Sequence, residues 1–78
     1  NEWRNNEQQI QLYQQMTQNY SRLLTAEETE FRGGESNLFI VNSRENKLVE
    51  AQNKLIDLQV KQQIIRNTIL YLRNTLAD

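Results

Sequence analysis

The sequence predicts an all-α fold, an antiparallel two-helix hairpin of the coiled-coil type, and three observations point to it. The chain has 78 residues and no proline, which suits long uninterrupted helices. Apolar residues recur in both halves at alternating steps of three and four, the spacing of a coiled-coil seam. The two glycines, Gly33 and Gly34, are adjacent near the middle, where the chain can reverse most easily. We therefore predict a single helical hairpin over residues 1–78, with a helix at 2–31, a turn at 32–37 and a helix at 38–76.

The first predicted helix has a seam and a second apolar face beside it. The seam consists of Trp3, Asn6, Ile10, Tyr13, Thr17, Tyr20, Leu24, Glu27 and Phe31. The second face holds Leu12, Met16, Leu23 and Ala26. Because a helix with two apolar faces contacts more than one neighbour, we expect partners beyond the second helix. We interpret the aromatic seam residues as packing residues. Thr25 and Glu28 match a capping box, which we place inside the helix because the seam continues through it.

The turn is expected to begin with Gly33 or Gly34 in the left-handed conformation that ends many helices. Glu35 then lies close to the positive end of the second helix, where an acidic residue is favourable. The side chain of Ser36 or Asn37 can cap that helix. A rival capping box consists of Asn42 and Glu45, and it would start the helix later.

The second predicted helix carries the more regular seam, which extends over five heptads. Its positions are Val41, Arg44, Leu48, Ala51, Leu55, Leu58, Gln62, Ile65, Ile69, Leu72 and Leu76. Further apolar residues lie off the seam at Val49, Ile56, Val60, Ile64 and Leu70. When the chain folds at Gly34, the first helix is too short to reach the last turns of the second. These turns, around Leu70, Leu72 and Leu76, therefore have no partner within the chain. We therefore expect the chain to be a piece of a larger protein or a subunit of a helical assembly.

Composition argues against several classes of function. The chain has no histidine and no cysteine, so we predict no catalytic residue, no metal and no cofactor. Nine Lys and Arg against ten Asp and Glu give a net charge of −1, which favours neither nucleic acid nor an anionic membrane as a partner. The longest apolar run, 38–41, is far shorter than the ~20 residues that span a bilayer. Three acid–base pairs are expected on the helix surfaces: Glu28–Arg32, Glu50–Lys54 and Asp57–Lys61.

The turn and the start of the second helix resemble a known family over about residues 25–59. The resemblance is carried by Phe31, by Gly34-Glu35-Ser36-x-Leu38-Phe39-x-Val41-Asn42, by Ser43-Arg44-Glu45-x-Lys47-Leu48, and by Glu50, Ala51 and Leu55. These residues resemble the second helical-hairpin tip of TolC-like outer membrane efflux proteins.

The resemblance implies a function in the export of small molecules. Proteins of that family are homotrimers of Gram-negative bacteria, with a β-barrel in the outer membrane and a long α-helical barrel across the periplasm. Each subunit supplies two helical hairpins, whose tips dock onto a periplasmic adaptor protein that connects them to an inner-membrane pump. The resemblance thus makes this chain a piece of the trimeric α-barrel, located in the periplasm and joined to the membrane only through parts that it does not include.

The resemblance also assigns two sites by position. The adaptor-docking tip is Gly34, Glu35, Ser36, Asn37 and Leu38. The channel entrance is Ile40, Asn42, Ser43 and Arg44. Some members carry acidic residues where this chain has Ile40 and Ser43, so the sequence leaves open whether an acidic entrance ring exists, and Asn42 or Arg44 would supply polar contacts instead. Two roles are open for Arg44: a stem packed along the partner helix with its head in water, or a salt bridge at the tip that helps to keep the channel shut.

Two other functions stay open from the sequence. A stand-alone coiled-coil hairpin that oligomerises would have the same seams. The long hairpin of the adaptor protein from the same kind of pump would have them too, and lipoyl-like β segments beside it in the gene would favour that interpretation.

Overall fold

The computed structural model describes residues 1–77 and has two helices packed against each other, which confirms the predicted all-α hairpin. Helix α1 extends from Glu2 to Arg32 and helix α2 from Leu38 to Ala77. Each helix ends one residue later than predicted, and the turn is residues 33–37. Thr25 lies inside α1, as expected. The helices are antiparallel, and the hairpin measures 68 × 14 × 13 Å.

The two helices meet along the predicted seams. Every seam residue of α1 from Trp3 to Glu27, and every seam residue of α2 from Val41 to Ile65, is buried or half-buried. The buried apolar residues are Ile10, Val41, Ala51, Leu58 and Ile65. Removing these side chains from water is the main driving force that holds the two helices together. The aromatic residues between Trp3 and Tyr20 are half-buried in the seam, as expected of packing residues.

The seam opens at both ends of the hairpin, against the prediction at Phe31 and as expected around Leu72. Phe31 is 43% exposed, because α1 is about to enter the turn at that point. Ile69 and Leu72 are 44% and 51% exposed, because only the first residues of the chain, Asn1 to Trp3, lie beside them. Leu76 was also predicted as a seam residue, and its side chain lies outside the part of the chain that the structure describes.

Large apolar side chains remain exposed off the seam on both helices. They are 43–60% exposed and belong to Leu12, Leu23, Val49, Ile56, Val60, Ile64 and Leu70. Within the described part of the chain, no side chain is completely enclosed. The reason is geometric, since two helices side by side share one contact face each. The uncovered faces leave room for further helices.

The three expected surface ion pairs are not formed. Within residues 1–77, the only nitrogen–oxygen contact of 4.0 Å or less between opposite charges joins Arg44 and Glu27. Exposed pairs gain little, because water weakens their attraction and both long side chains lose rotamer freedom. The prediction was wrong because i,i+4 spacing permits such a pair without enforcing it.

A Schellman motif ends α1. The amide of Glu35 donates to the carbonyl of Glu30 at 2.8 Å, and the amide of Gly34 donates to the carbonyl of Phe31 at 3.1 Å. These are the two reversed bonds of the motif. Gly34 has a φ of 81°, in the left-handed region that favours glycine, whereas Gly33 has a φ of −81°. Of the two candidates, Gly34 is therefore the residue that reverses the chain.

Asn37 caps α2. Its Oδ1 accepts a hydrogen bond from the amide of Ile40 at 3.0 Å, and the helix begins at Leu38. This bond satisfies one of the amides that have no partner inside the first helical turn. The rival capping box at Asn42 and Glu45 is wrong, because α2 already includes both residues.

A buried asparagine helps to fix the helix register at the end far from the turn. Asn6 is 4% exposed in the seam, and its Nδ2 donates to the carbonyl of Leu58 at 3.1 Å. Its Oδ1 has no hydrogen-bond partner among the described residues. A half-satisfied buried amide costs stability, but it disfavours registers in which the whole amide would be unpaired.

Alanine substitutions at the two glycines are expected to have opposite effects. Gly34→Ala places a Cβ at a φ of 81° and should lower the free energy of unfolding by about 1 kcal/mol. Gly33→Ala meets no atom closer than 3.6 Å and should raise it by about 0.5 kcal/mol, because the unfolded chain loses entropy. Urea unfolding followed by circular dichroism measures both. Equal effects of the two substitutions would contradict the assignment of the turn to Gly34.

Replacing the buried asparagine by leucine is expected to stabilise the hairpin. Asn6→Leu removes the unpaired Oδ1, while the Leu58 carbonyl keeps its place in the helix, so the free energy of unfolding should rise by about 1 kcal/mol. Asn5→Leu, at the exposed neighbouring position, is the control and should change it by less than about 0.5 kcal/mol. Thermal unfolding compares the two variants, and a lower melting temperature for Asn6→Leu alone would contradict this account of the seam.

Candidate functional site

Three side chains from three parts of the chain converge just inside the turn. Glu27, near the end of α1, accepts a hydrogen bond from Oγ of Ser36 at Oε2, with an oxygen–oxygen distance of 2.5 Å. Its Oε1 accepts another from Nε of Arg44 in α2 at 3.2 Å. The side chain of Glu27 is 11% exposed and that of Arg44 38%. We call these three residues the tip clasp, since one carboxylate joins α1, the turn and α2.

The heptad pattern brings the clasp together. Glu27 and Arg44 occupy seam positions on facing helices, so both side chains are directed towards the helix interface. A shielded carboxylate without a partner would be costly, and the guanidinium supplies the opposite charge together with N–H donors. The hydroxyl of Ser36 takes the other oxygen, so neither carboxylate oxygen is left unpaired.

The clasp holds Glu27 in its charged form. The hydrogen bond from Ser36 lowers the pKa of Glu27 below its ordinary value of 4.5, and the hydrogen bond and charge of Arg44 lower it further. Partial burial of the carboxylate opposes these effects without cancelling them. Both oxygens are therefore strong acceptors at neutral pH, and the chemical role of the arrangement is to hold the tip in one geometry.

The five residues assigned to the docking tip divide into a supporting part and an exposed part. Ser36 is half-buried and commits its hydroxyl to the clasp, so it supports the tip from within. Asn37 is exposed, but its Oδ1 is used in the cap of α2. Gly34 and Glu35 are exposed, and Leu38 is 58% exposed. The surface that a partner could contact is thus narrower than the sequence suggested.

Phe39 extends that surface and was not among the predicted tip residues. It is 82% exposed, more than any other large apolar side chain in the described part of the chain. The sequence contained a signal for it, because position 39 lies off the seam, two residues before Val41, and faces away from α1. With Leu38 it forms an apolar pair at the start of α2, which we call the tip pair.

The four residues assigned to the channel entrance do not share one side of α2. At about 100° per residue, Ile40, Ser43 and Arg44 lie on one side of the helix, and Asn42 lies about 200° round the helix from both Ile40 and Arg44. Of the two roles left open for Arg44, the structure shows a salt bridge at the tip, formed within the hairpin with Glu27. Glu27 was predicted only as a seam position, and its partnership was missed.

Neither a metal site nor a membrane-spanning helix is found in the described residues. Within residues 1–77, no group of three or more His, Cys, Asp or Glu side chains could hold a metal ion. No helix in that range combines the length and the hydrophobicity needed to cross a membrane. Protein-family models, curated proteins and solved structures gave no match to this chain. The resemblance to TolC-like hairpin tips stays a prediction from the sequence motif.

The clasp predicts a specific pH dependence of stability. Because the pKa of Glu27 is lower in the folded chain than in the unfolded chain, its contribution is present above pH 4.5 and is lost as the pH falls through the folded value. We expect Glu27→Gln to lose less stability on acidification than the wild-type chain does. Melting temperatures measured at neutral pH and well below pH 4.5 provide the comparison.

Glu35→Gln is the matched control for that measurement. Glu35 is an exposed acid at the same turn, and it has no ion-pair partner within 4.0 Å among the described residues. Its variant should show the wild-type dependence on pH. Equal behaviour of the Glu27 and Glu35 variants would contradict the role given to the clasp.

Proposed function

We propose that this chain is a periplasmic hairpin of a TolC-like outer membrane efflux channel, where it forms part of the conduit wall and docks onto a periplasmic adaptor protein. The observation that carries the proposal is the exposed tip pair, Leu38 and Phe39, on a turn held by the clasp. That pair lies inside the segment that resembles the hairpin tips of the family. In this function the chain performs no catalysis and binds no cofactor or nucleic acid, and the inner-membrane pump drives transport.

The chemistry of the tip suits docking onto another helical hairpin. Leu38 and Phe39 offer apolar surface of the kind that carries most of the binding energy in protein interfaces. The Schellman motif and the cap at Asn37 already give the amides of Gly34, Glu35 and Ile40 acceptors within the chain. Little chain entropy is therefore lost when a partner binds, which favours affinity. The exposed carboxylate of Glu35 is available for a polar contact at the edge.

The exposed apolar faces fit the wall of a trimeric α-barrel. Such a wall gives each hairpin a neighbour on both sides, and both α1 and α2 carry apolar residues outside their shared seam. The polar remainder of each helix can face water in the lumen or outside the barrel. In this arrangement Leu12 and Leu23 of α1, and Val49 and Ile56 of α2, contact helices from adjoining hairpins in the homotrimer.

The clasp gives the proposed entrance a rigid inner edge. Ile40 and Ser43 lie on the same side of α2 as Arg44 and carry no charge, so the entrance formed by them is neutral. Arg44 helps to keep that entrance narrow by tying α2 to Glu27 of α1. Asn42, on nearly the opposite side, makes a polar contact with a neighbouring hairpin.

A stand-alone hairpin that oligomerises is the second candidate, and the long exposed apolar face of α2 favours it. The gene on either side of this segment distinguishes the candidates. Amphipathic strands and a second Phe-x-x-Gly hairpin support the channel, whereas lipoyl-like β segments support the hairpin of an adaptor. A gene that encodes this hairpin alone contradicts the channel.

A charge at the tip pair is expected to abolish docking. In the full-length channel, Phe39→Glu should weaken binding to the adaptor about tenfold or more, because a central apolar anchor is replaced by a desolvated charge. Cells that carry the variant should become sensitive to exported compounds, while native gels still show the trimer. Gln52→Glu adds the same charge at an exposed position away from the tip and should leave efflux unchanged. Normal efflux with Phe39→Glu would count against docking through this pair.

A further inference from the structure

The face of α2 directed away from α1 carries a second regular pattern. It consists of Asn46, Val49, Asn53, Ile56, Val60, Ile64, Asn67, Tyr71 and Asn74, which we call the outer stripe. All nine residues are exposed. At about 100° per residue, the stripe is centred roughly 150° from the seam, so α1 does not reach it. The five apolar members are 51–69% exposed.

The outer stripe is nearly symmetric about its centre. The steps between its members are three, four, three and four up to Val60, and then four, three, four and three. The residues mirror each other in polarity as well, and three of the four pairs are identical. Ile56 matches Ile64, Val49 matches Tyr71, Asn53 matches Asn67, and Asn46 matches Asn74.

We propose that a second copy of this chain covers the outer stripe, with the two α2 helices antiparallel and a two-fold axis at Val60. In a two-fold interface, residue i of one copy contacts residue j of the other while j contacts i, so the surface must match itself when reversed. The mirrored stripe meets that requirement: Val60 faces its own counterpart, and Ile56 faces Ile64 of the second copy.

The extent of the stripe suits a stable pair. It covers 29 residues of α2, from Asn46 to Asn74, or about 42 Å of helix at 1.5 Å per residue. Ten apolar side chains, five from each copy, with the asparagines around them, would bury on the order of 1,000 Å², which is about the lower limit for a specific interface.

The asparagines set the register of the pair. An amide side chain has both donors and acceptors, so Asn53 and the mirrored Asn67 of the second copy can satisfy each other across the interface. A slip of one heptad would instead bring Asn53 against Val60, leaving a buried amide unpaired. Asparagine in an apolar seam is known to select register and number of chains in this way, at some cost in stability.

Charges beside the stripe are complementary in the same arrangement. Asp57 and Lys61 lie on one flank of the stripe, close to the proposed axis. Neither forms an ion pair within 4.0 Å among the described residues. In the antiparallel pair, Asp57 of each copy lies at nearly the same level as Lys61 of the other, so two opposite-charge contacts form across the axis.

The apolar face of α1 does not offer the same match. Its members are Leu12, Met16, Leu23 and Ala26, at steps of four, seven and three, and they do not mirror one another. Met16 is already half-buried, and the other three cover a shorter length. The second copy is therefore assigned to α2.

This inference does not rest on the proposed function, because the mirrored pattern belongs to α2 alone. It describes what the 78-residue chain does by itself, whereas the channel proposal concerns the parent protein. The tests are separate as well: solution mass and crosslinking of the chain in one case, efflux and adaptor binding in the other.

The first experiment measures the solution mass of the chain by analytical ultracentrifugation at micromolar concentrations. The wild-type chain should sediment as a dimer, at twice its 9.3 kDa mass. Val60→Asp places two like charges on the axis and should therefore raise the dissociation constant of the dimer at least tenfold. Leu12→Asp, a matched change at a 53% exposed residue of α1, should leave the dimer intact. A monomeric or trimeric wild type, or a dimer that survives Val60→Asp, would overturn the proposal.

The second experiment tests the antiparallel direction with disulfides, in a chain that has no natural cysteine. Mixing Ile56→Cys and Ile64→Cys chains should give a mixed disulfide under mild oxidation, because these positions face each other. Ile56→Cys alone should crosslink poorly, since its counterpart lies about 12 Å away along the helix. Efficient self-crosslinking of Ile56→Cys would indicate parallel helices and overturn the proposal, even if Val60→Asp proved to be misfolded.

Discussion

Two helices packed side by side can bury only one face of each, and this limit governs the whole molecule. The seam encloses small and medium apolar residues such as Ala51 and Leu58, and no side chain in the described range is completely buried. The remaining apolar residues lie in ordered rows on other faces rather than being scattered. A row of exposed apolar side chains on a polar helix marks an interaction surface. Under the proposed function, the hairpin is a component of a larger helical assembly, and its exposed rows pack against neighbouring helices.

The turn differs from the helix faces, because contacts within the chain hold it in place. Gly34 reverses the chain, the amides of Gly34 and Glu35 donate to carbonyls in the last turn of α1, and Asn37 caps α2. Glu27 then ties both helices and the turn together. A surface built in this way has one geometry before it meets a partner. The exposed Leu38 and Phe39 beside it are therefore presented in a fixed position.

The sequence predicted the helices and most of the seam, because burial follows heptad position wherever the two helices lie side by side. The sequence did not decide which of Gly33 and Gly34 takes the left-handed conformation, because that depends on which amides reach the last carbonyls of α1. It could not pair Glu27 with Arg44, because two polar seam positions meet only when the register across the turn is known. The heptad pattern also predicts that Phe39 is exposed, because position 39 lies off the seam, but the family resemblance assigned the tip to residues 34–38. The prediction of surface ion pairs was wrong because i,i+4 spacing of opposite charges is common, whereas the energy gained by such a pair is small.

The central claim is that the clasped tip presents Phe39 to a periplasmic adaptor. Its most direct test places a photo-crosslinking phenylalanine analogue at Phe39 of the full-length protein in cells, with the same analogue at Gln52 as the control. The account predicts a crosslinked product with an adaptor protein, identified by mass spectrometry, from position 39 and not from position 52. Absence of an adaptor product at Phe39, or an equal yield at Gln52, would contradict it.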